Sequence, residues 1–164
     1  MNYLHNSKSI KIAGGGVAGL SAAISLKKLG YNPIVFEKCS TVGENRHGDY
    51  EGLENWIFST SMNSFFNQVG FDFNKITTFP ISKFTVHTKT FSPLNISSKK
   101  PFFYMVKRGR NNQDFDNQLF DQCKDMNIQF ELGTKAPKDS SIIATGTKKA
   151  AADIHGFYFK SSLN

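Results

Sequence analysis

Three glycines near the start of the chain have the spacing of a phosphate-binding turn. In the stretch SIKIAGGGVAGLSAAISLKKLGYNPIVFEK, Gly14, Gly16 and Gly19 lie between a short apolar run and a long one. In such a turn the first glycine permits a sharp bend, the second lets the backbone approach a ligand, and the third lets helix and strand pack closely. Amide groups at the start of the following helix attract an anion. The spacing therefore predicts a pyrophosphate ligand.

An acid in the same stretch supports a dinucleotide rather than a simple phosphate. Glu37 follows Gly14 by 23 positions (37 − 14), near the ~20-residue separation that places an acid at the ribose of a bound dinucleotide. A carboxylate there accepts hydrogen bonds from a free 2′-hydroxyl and would repel a 2′-phosphate. The residues predict FAD or NAD rather than NADP, and a glycine turn present for steric reasons alone is the alternative interpretation.

The elements around these residues form a βαβ unit. We predict a strand over Ser9–Ala13, a helix over 17–29 that ends at Gly30, and a strand over 34–37. Such units almost always give parallel strands with a right-handed crossover. We therefore predict an α/β fold: a Rossmann-like doubly wound parallel sheet with a βαβ dinucleotide-binding unit and a small middle insertion.

The middle of the chain has the pattern of that insertion. Residues 39–56 are polar and punctuated by glycine, which predicts a loop, and residues 56–69 have apolar side chains at helical spacing. Alternation from Phe84 to Thr90 and the apolar run 102–106 predict a β-strand pair. The segment SPLNISSKKP between them is predicted to be a turn or connection.

The last third of the chain returns to the parallel sheet. We predict a helix over 114–126 and strands over 128–132 and 141–145. The whole chain is then one FAD/NAD(P)-binding-type domain in four parts: a nucleotide unit (9–38), an insertion (39–106), a return to the sheet (107–146) and a tail or the start of a second half (147–164).

Composition restricts the class of protein. The formal charge of +7 comes from small basic groups such as Lys27-Lys28, scattered among polar residues rather than clustered. We therefore expect a solvated surface and an anionic cofactor, and no nucleic-acid partner. No apolar run approaches the ~20 residues that cross a bilayer, so we expect a cytoplasmic protein without a transmembrane segment. Cys39 and Cys123 lack metal-site or disulfide spacing, and we predict no metal.

In these motifs the chain resembles the FAD-dependent oxidoreductases of the geranylgeranyl reductase and aromatic hydroxylase type, within the glutathione reductase fold group. The resemblance rests on AGGGVAGLSAAISLKKLGYNPIVFEK, with small residues at Ser21, Ala22 and Ala23 and the strand-end acid. It extends to VKRGRNNQDFDNQLFDQC, similar to an Arg, Asp, Leu segment that leads into a helix, and to SIIATGT, similar to an Ala-Thr-Gly turn. GDYEGLENW resembles a segment of a subset of members.

The resemblance implies a set of cofactor-binding residues. The pyrophosphate would lie on the turn, the ribose at Glu37, and the adenine side of the cofactor near a second turn. Arg46 would lie near the phosphates, with Arg108 or Arg110 as a second positive contact; an exposed solubilising role is the alternative for each arginine. The full predicted set is Gly14, Gly15, Gly16, Val17, Ala18, Gly19, Glu37, Lys38, Arg46, Arg108, Ala144, Thr145 and Gly146.

The resemblance also implies a function. It indicates the FAD-binding part of a reductase that passes hydride through flavin to an apolar substrate, with NAD as the alternative cofactor. A non-catalytic dinucleotide-binding module and a flavin-dependent hydroxylase are the alternative functions. No Gly-Asp segment of the kind that holds the ribityl chain follows Gly146, so a partner polypeptide or a homo-oligomer is expected to complete the flavin site. No residue stands out as a catalytic acid or base.

Overall fold

The computed structural model describes residues 9–54 and 60–146. Within them the chain forms nine strands and three α-helices, with a short 3₁₀ turn at Phe73–Lys75. In chain order they are β1 (Ser9–Ala13), α1 (Val17–Lys28), β2 (Asn32–Glu37), β3 (Tyr50–Glu54), α2 (Met62–Val69), β4 (Phe79–Ile81), β5 (Lys83–Val86), β6 (Leu94–Ser97), β7 (Phe103–Lys107), α3 (Phe115–Asp125), β8 (Gln129–Leu132) and β9 (Ile142–Ile143).

A four-stranded parallel sheet confirms the predicted α/β fold class. Its strands have the order β8-β2-β1-β9, and every neighbouring pair is parallel. From β1 the chain proceeds to β2 and β8 on one side, whereas β9 lies on the other side of β1. The order therefore changes direction between β1 and β9, which is where open α/β sheets bind ligands at the carboxyl ends of their strands.

The core lies between this sheet and the helices α1 and α3. Ile12 and Val35 point from the central strands toward Leu20, Leu119 and Cys123, and all five side chains are fully buried. The thiol of Cys123 approaches the carbonyl oxygen of Leu20 at 3.8 Å, so the two helices are in direct contact. Apolar burial of this kind stabilises the sheet that carries the glycine turn.

The insertion differs from its prediction in three respects. The predicted loop 39–56 contains β3, and the predicted connection SPLNISSKKP contains β6. The predicted strand pair is also wrong, because β5 pairs with β6, whereas β7 lies between β3 and β4 in a separate antiparallel sheet. Partner strands stabilise β3 and β6, which have weak strand patterns of their own.

Helix α2 begins later than predicted. Ser61 caps it by accepting a hydrogen bond from the amide of Ser64, and the helix ends at Gly70, which has a φ of 106°. The predicted start at residue 56 and the predicted tail 147–164 lie outside the described residues. In the described part of the chain, each helix is too short or too polar to cross a bilayer.

Candidate dinucleotide site

The glycine turn connects β1 to α1 and is hydrogen-bonded to the end of the neighbouring strand β2. Gly14 follows β1 with a φ of 104°, and its amide donates to the carbonyl oxygen of Phe36 at 2.8 Å. A Cβ atom at Gly14 would lie 2.3 Å from the carbonyl oxygen of Ala144. Both the backbone angle and the close approach therefore require glycine at this position.

Gly19 brings helix α1 onto the same turn. A Cβ atom there would lie 1.9 Å from the carbonyl oxygen of Gly14 and 3.5 Å from the Cβ of Ala144. Any side chain would push the helix away from the strand. Gly19 therefore has the packing environment that the third glycine of such a turn requires.

Gly16 is the glycine that faces open space. It is the N-cap of α1 with a φ of −79°, and apart from Gly16 and its two chain neighbours no described residue has a heavy atom within 4 Å of a Cβ built on it. Among the described residues, no side chain caps this helix start and no acidic residue lies in its first turn. The amides at Val17 and Ala18 thus begin a 12-residue helix at an open, positively polarised end. An anion fits this position.

Glu37 fixes its carboxylate beside the turn. Its Oε2 accepts a hydrogen bond from the amide of Gly15 at 2.7 Å, and its Oε1 accepts one from the amide of Cys39 at 2.9 Å. A carboxylate has about four lone-pair sites, so two such bonds leave acceptor capacity for ribose hydroxyls. Lys38 follows it on the exposed surface.

The Ala-Thr-Gly segment, residues 144–146, packs against the glycine turn through Ala144. The amide of Ala144 donates to the carbonyl oxygen of Ala13 at 2.7 Å, which extends the pairing of β9 with β1. Thr145 and Gly146 follow on the exposed side, and Gly146 has a φ of 80°. The structure thus brings together the turn, Glu37 and Ala144, which are distant in sequence.

The predicted arginine in the first loop is engaged by acids. Arg46 is exposed, and its Nη1 lies 3.2 Å from Asp49 and 3.0 Å from Glu51. The loop nevertheless has a fixed position, because a Cβ at Gly43 would lie 2.2 Å from the carbonyl oxygen of Gly109. A contact of Arg46 with cofactor phosphates stays a prediction.

Arg108 has a role that the sequence did not predict. Its side chain is 7% exposed, and it donates two hydrogen bonds to Asp116, from Nε at 2.8 Å and from Nη2 at 2.7 Å. Its Nη1 also donates to Glu51. Burial lowers the pKa of the guanidinium, but these bonds and ion pairs outweigh it and raise the pKa, so Arg108 stays cationic. The three charges connect β3, the residue that follows β7, and α3.

Arg110 is more accessible than Arg108. It is exposed and lines an open cavity of about 610 Å³; the other lining residues are Lys107, Asn111, Asn112, Gln113 and the acid Asp114. Of the two arginines, Arg110 has the side chain that could reach an anion without breaking a buried ion pair. Whether either of them contacts the cofactor stays a prediction.

Sequence comparison identifies the nucleotide unit. Residues 12–71 match the family model described as an NAD(P)-binding Rossmann-like domain. Among curated proteins, none is significantly similar to the chain.

Several solved structures share the fold. The tetrameric form of 2-methyl-3-hydroxypyridine-5-carboxylic acid oxygenase has a TM-score of 0.60 at 16% identity, over 79% of this chain and 32% of that one. CtdE in complex with FAD has a TM-score of 0.51 at 19% identity, over 78% of this chain and 30% of that one. CmlS, a flavin-dependent halogenase, has a TM-score of 0.52 at 21% identity, over 79% and 23%. The chain therefore spans about a third or less of these proteins.

Proposed function

We propose that this chain is the FAD-binding part of a flavin-dependent oxidoreductase that acts on an apolar substrate. The observation that carries the proposal is the open backbone at Gly16, at the uncapped start of α1 and beside the fixed carboxylate of Glu37. The solved structures support FAD over NAD, because one contains FAD and another is named a flavin-dependent halogenase.

Different residues of the site would bind different parts of the cofactor. The amides at the start of α1 would bind the pyrophosphate, because Gly16 leaves room for it and the helix dipole favours negative charge. Glu37 would accept hydrogen bonds from the adenosine ribose, and Ala144 would limit the depth of the site through its contact with Gly14. FAD supplies the redox chemistry when it is bound.

Two reaction classes share this cofactor site. In the first, which the resemblance to geranylgeranyl reductases suggests, hydride passes to an apolar, isoprenoid-like substrate. In the second, the protein is a flavin-dependent hydroxylase. The first rests on the resemblance alone, and the fold similarity to an oxygenase and a halogenase makes the second fit about as well.

A non-catalytic module is the third candidate. The chain spans 30% of CtdE, whose structure contains FAD, so elements that hold the cofactor in that protein can lie outside the matched part. Under this proposal, a partner polypeptide or a second copy of this chain completes the flavin site. Adenine-dinucleotide binding would then be the whole activity of this chain by itself.

Cofactor binding is tested by absorbance and calorimetry. The purified chain is mixed with FAD, freed of excess, and examined for a retained flavin band, while ADP binding is measured in parallel. Gly16→Val and Glu37→Ala should each weaken ADP binding more than tenfold, because one fills the open space and the other removes the ribose acceptor. Glu131→Ala, on the neighbouring strand β8, is the matched control. Equal ADP affinity in all three variants would refute the dinucleotide site.

The reaction class is tested on the loaded protein. With NADH as donor and geranylgeraniol as an apolar probe, a product that gains two hydrogen atoms supports the reductase. A product that gains one oxygen atom, with matching oxygen uptake, supports the hydroxylase. Retention of ADP without retention of FAD supports the module.

A further inference from the structure

The hairpin formed by β5 and β6 has an apolar face that points outward. In its register Phe84 pairs with Ile96 and Val86 pairs with Leu94, so these four side chains share one face. Phe84 and Val86 are each 37% exposed and Leu94 is 60% exposed. Within the described residues, the aromatic ring packed against this face is that of Phe102, 5.0 Å from Phe84 between centroids.

The opposite face of the hairpin is polar. Lys83 pairs with Ser97 and Thr85 pairs with Asn95, and the hydroxyl of Thr85 donates to Oδ1 of Asn95 at 2.7 Å. The hairpin is therefore amphipathic, with alternation of period two. A two-stranded hairpin is only marginally stable by itself, and an apolar face of this kind is normally covered.

The tip of the hairpin presents a phenylalanine to solvent. Phe91 is 77% exposed, the largest exposed fraction among the large apolar residues described. Two hydrogen bonds restrain its backbone. The amide of Phe91 donates to Oγ1 of Thr88 at 3.0 Å, and the Thr88 hydroxyl donates to the carbonyl oxygen of Phe91 at 3.3 Å. The loop thus holds Phe91 at the end of the apolar face.

The chain segment that contains the hairpin carries only positive charge. Residues 73–113 contain no Asp or Glu, although the chain as a whole has 13 of them. Four exposed lysines lie on or next to the hairpin: Lys83, Lys89, Lys99 and Lys100. An anionic surface with an apolar interior complements this arrangement, since lysines near an anionic membrane contribute about 1 kcal/mol each.

The size of the face favours lipid over protein. Two four-residue strands give a face of roughly 13 Å by 10 Å, at about 3.3 Å per residue and about 4.8 Å between strands. A stable protein interface needs about 800 Å² on each partner, several times this footprint. A membrane surface requires less apolar contact when positive charge adds to it.

We propose that the β5–β6 hairpin docks this protein on an anionic lipid surface. Phe91 and Leu94 enter the boundary between headgroups and acyl chains, and Lys89, Lys99 and Lys100 lie against the lipid phosphates, whereas Lys83 is on the opposite, polar face. The docking uses residues remote in sequence from the glycine turn and does not depend on dinucleotide binding. It would bring the protein to the phase in which apolar molecules dissolve.

The test is co-sedimentation with vesicles of stated composition. We expect the full chain to bind vesicles of phosphatidylcholine with phosphatidylglycerol at least tenfold more strongly than phosphatidylcholine alone, and to lose this preference in high salt. Phe91→Ser should weaken binding to the anionic vesicles about tenfold, and Lys89→Glu with Lys99→Glu should do the same. Leu29→Ser is the matched control, because Leu29 is 74% exposed at the end of α1.

Three outcomes would overturn the proposal. They are an absence of vesicle binding, equal effects of Phe91→Ser and Leu29→Ser, and self-association in sedimentation velocity that Phe91→Ser abolishes without any vesicle binding. The Gly16→Val variant separates this proposal from the previous one, since it should lose ADP binding and keep vesicle binding.

Discussion

The parallel sheet and the β5–β6 hairpin differ in how far their apolar side chains are buried. In the sheet, Ile12 and Val35 are fully buried under α1 and α3. In the hairpin, Leu94 and Phe91 are 60% and 77% exposed. The central strands of the sheet bury their apolar side chains, and the backbone beside them is open at Gly16, whereas the paired strands of the hairpin expose apolar side chains along one face.

This difference separates two kinds of binding surface. At the glycine turn, close backbone contacts of Gly14 and Gly19 define the shape, as a small, defined ligand requires. At the hairpin, a flat apolar strip with surrounding lysines has no comparable shape and suits an extended, deformable surface. The predictions below test how far the two regions differ, from the largest expected effect to the smallest.

Removal of the buried acid at the start of α3 should have the largest effect. Asp116→Ala leaves the guanidinium of Arg108 buried with Glu51 as its remaining partner, and we expect a loss of about 3 kcal/mol in the free energy of unfolding. Asp125→Ala on the same helix is the control. Its partner Lys75 is exposed, so the loss should stay below about 1 kcal/mol. Equal losses in urea unfolding would contradict a special role for Asp116.

Alanine at two glycines of the turn should give unequal results. Gly19→Ala places a Cβ 1.9 Å from the carbonyl oxygen of Gly14, and we expect a loss of about 2 kcal/mol. Gly16→Ala meets open space and should cost less than about 1 kcal/mol, while it weakens ADP binding. Thermal unfolding and calorimetry of both variants measure the two effects. If Gly19→Ala is as stable as Gly16→Ala, the packing of α1 on the turn is less close than described.

Alkaline pH should lower the free energy of unfolding through the buried thiol of Cys123. Burial raises the pKa of its thiol from 9.0 to about 12. Above pH 9 the unfolded thiol loses its proton while the folded thiol keeps it, so stability falls as pH rises, by up to about 1.4 kcal/mol per pH unit. Urea unfolding at pH 8 and pH 10 measures the loss. The Cys123→Ala variant lacks this contribution, and the same pH slope in both proteins would refute it.

The hairpin substitution should have the smallest effect on stability. Phe91 is 77% exposed, so Phe91→Ser should change the free energy of unfolding by less than about 0.5 kcal/mol. Urea unfolding of this variant beside Leu29→Ser checks the value. A loss above 1 kcal/mol, on the order expected for a buried position, would show that Phe91 supports the fold rather than an external contact.

The elements that the sequence predicts well are those with strong local patterns. The prediction of β1 matches the structure, and α1 ends one residue earlier than predicted, because Leu29 caps it before Gly30. The helix α3 and strand β8 are also found within one or two residues of their predictions. Buried apolar runs and glycine punctuation encode these elements locally.

The elements that the sequence does not predict depend on distant partners. Strand β3 has the sequence YEGLE, whose two acids and glycine do not favour a strand, and it forms against β7. The same holds for Arg108, whose partner Glu51 is 57 residues away in sequence. A residue pair at that separation has no periodic signal, so the ion pair between Arg108 and Glu51 could be found only from the structure.

The contact between Gly14 and Ala144 has a consequence for the order of events during synthesis. The two residues are 130 positions apart (144 − 14), and the glycine turn is packed on this side only when Ala144 contacts Gly14. A ribosome must therefore release nearly all of the described chain before the nucleotide cleft can close on itself. Contacts of such long range form slowly. Until Ala144 is translated, the first βαβ segment can be partly helical, but its cofactor site lacks the contact between Gly14 and Ala144.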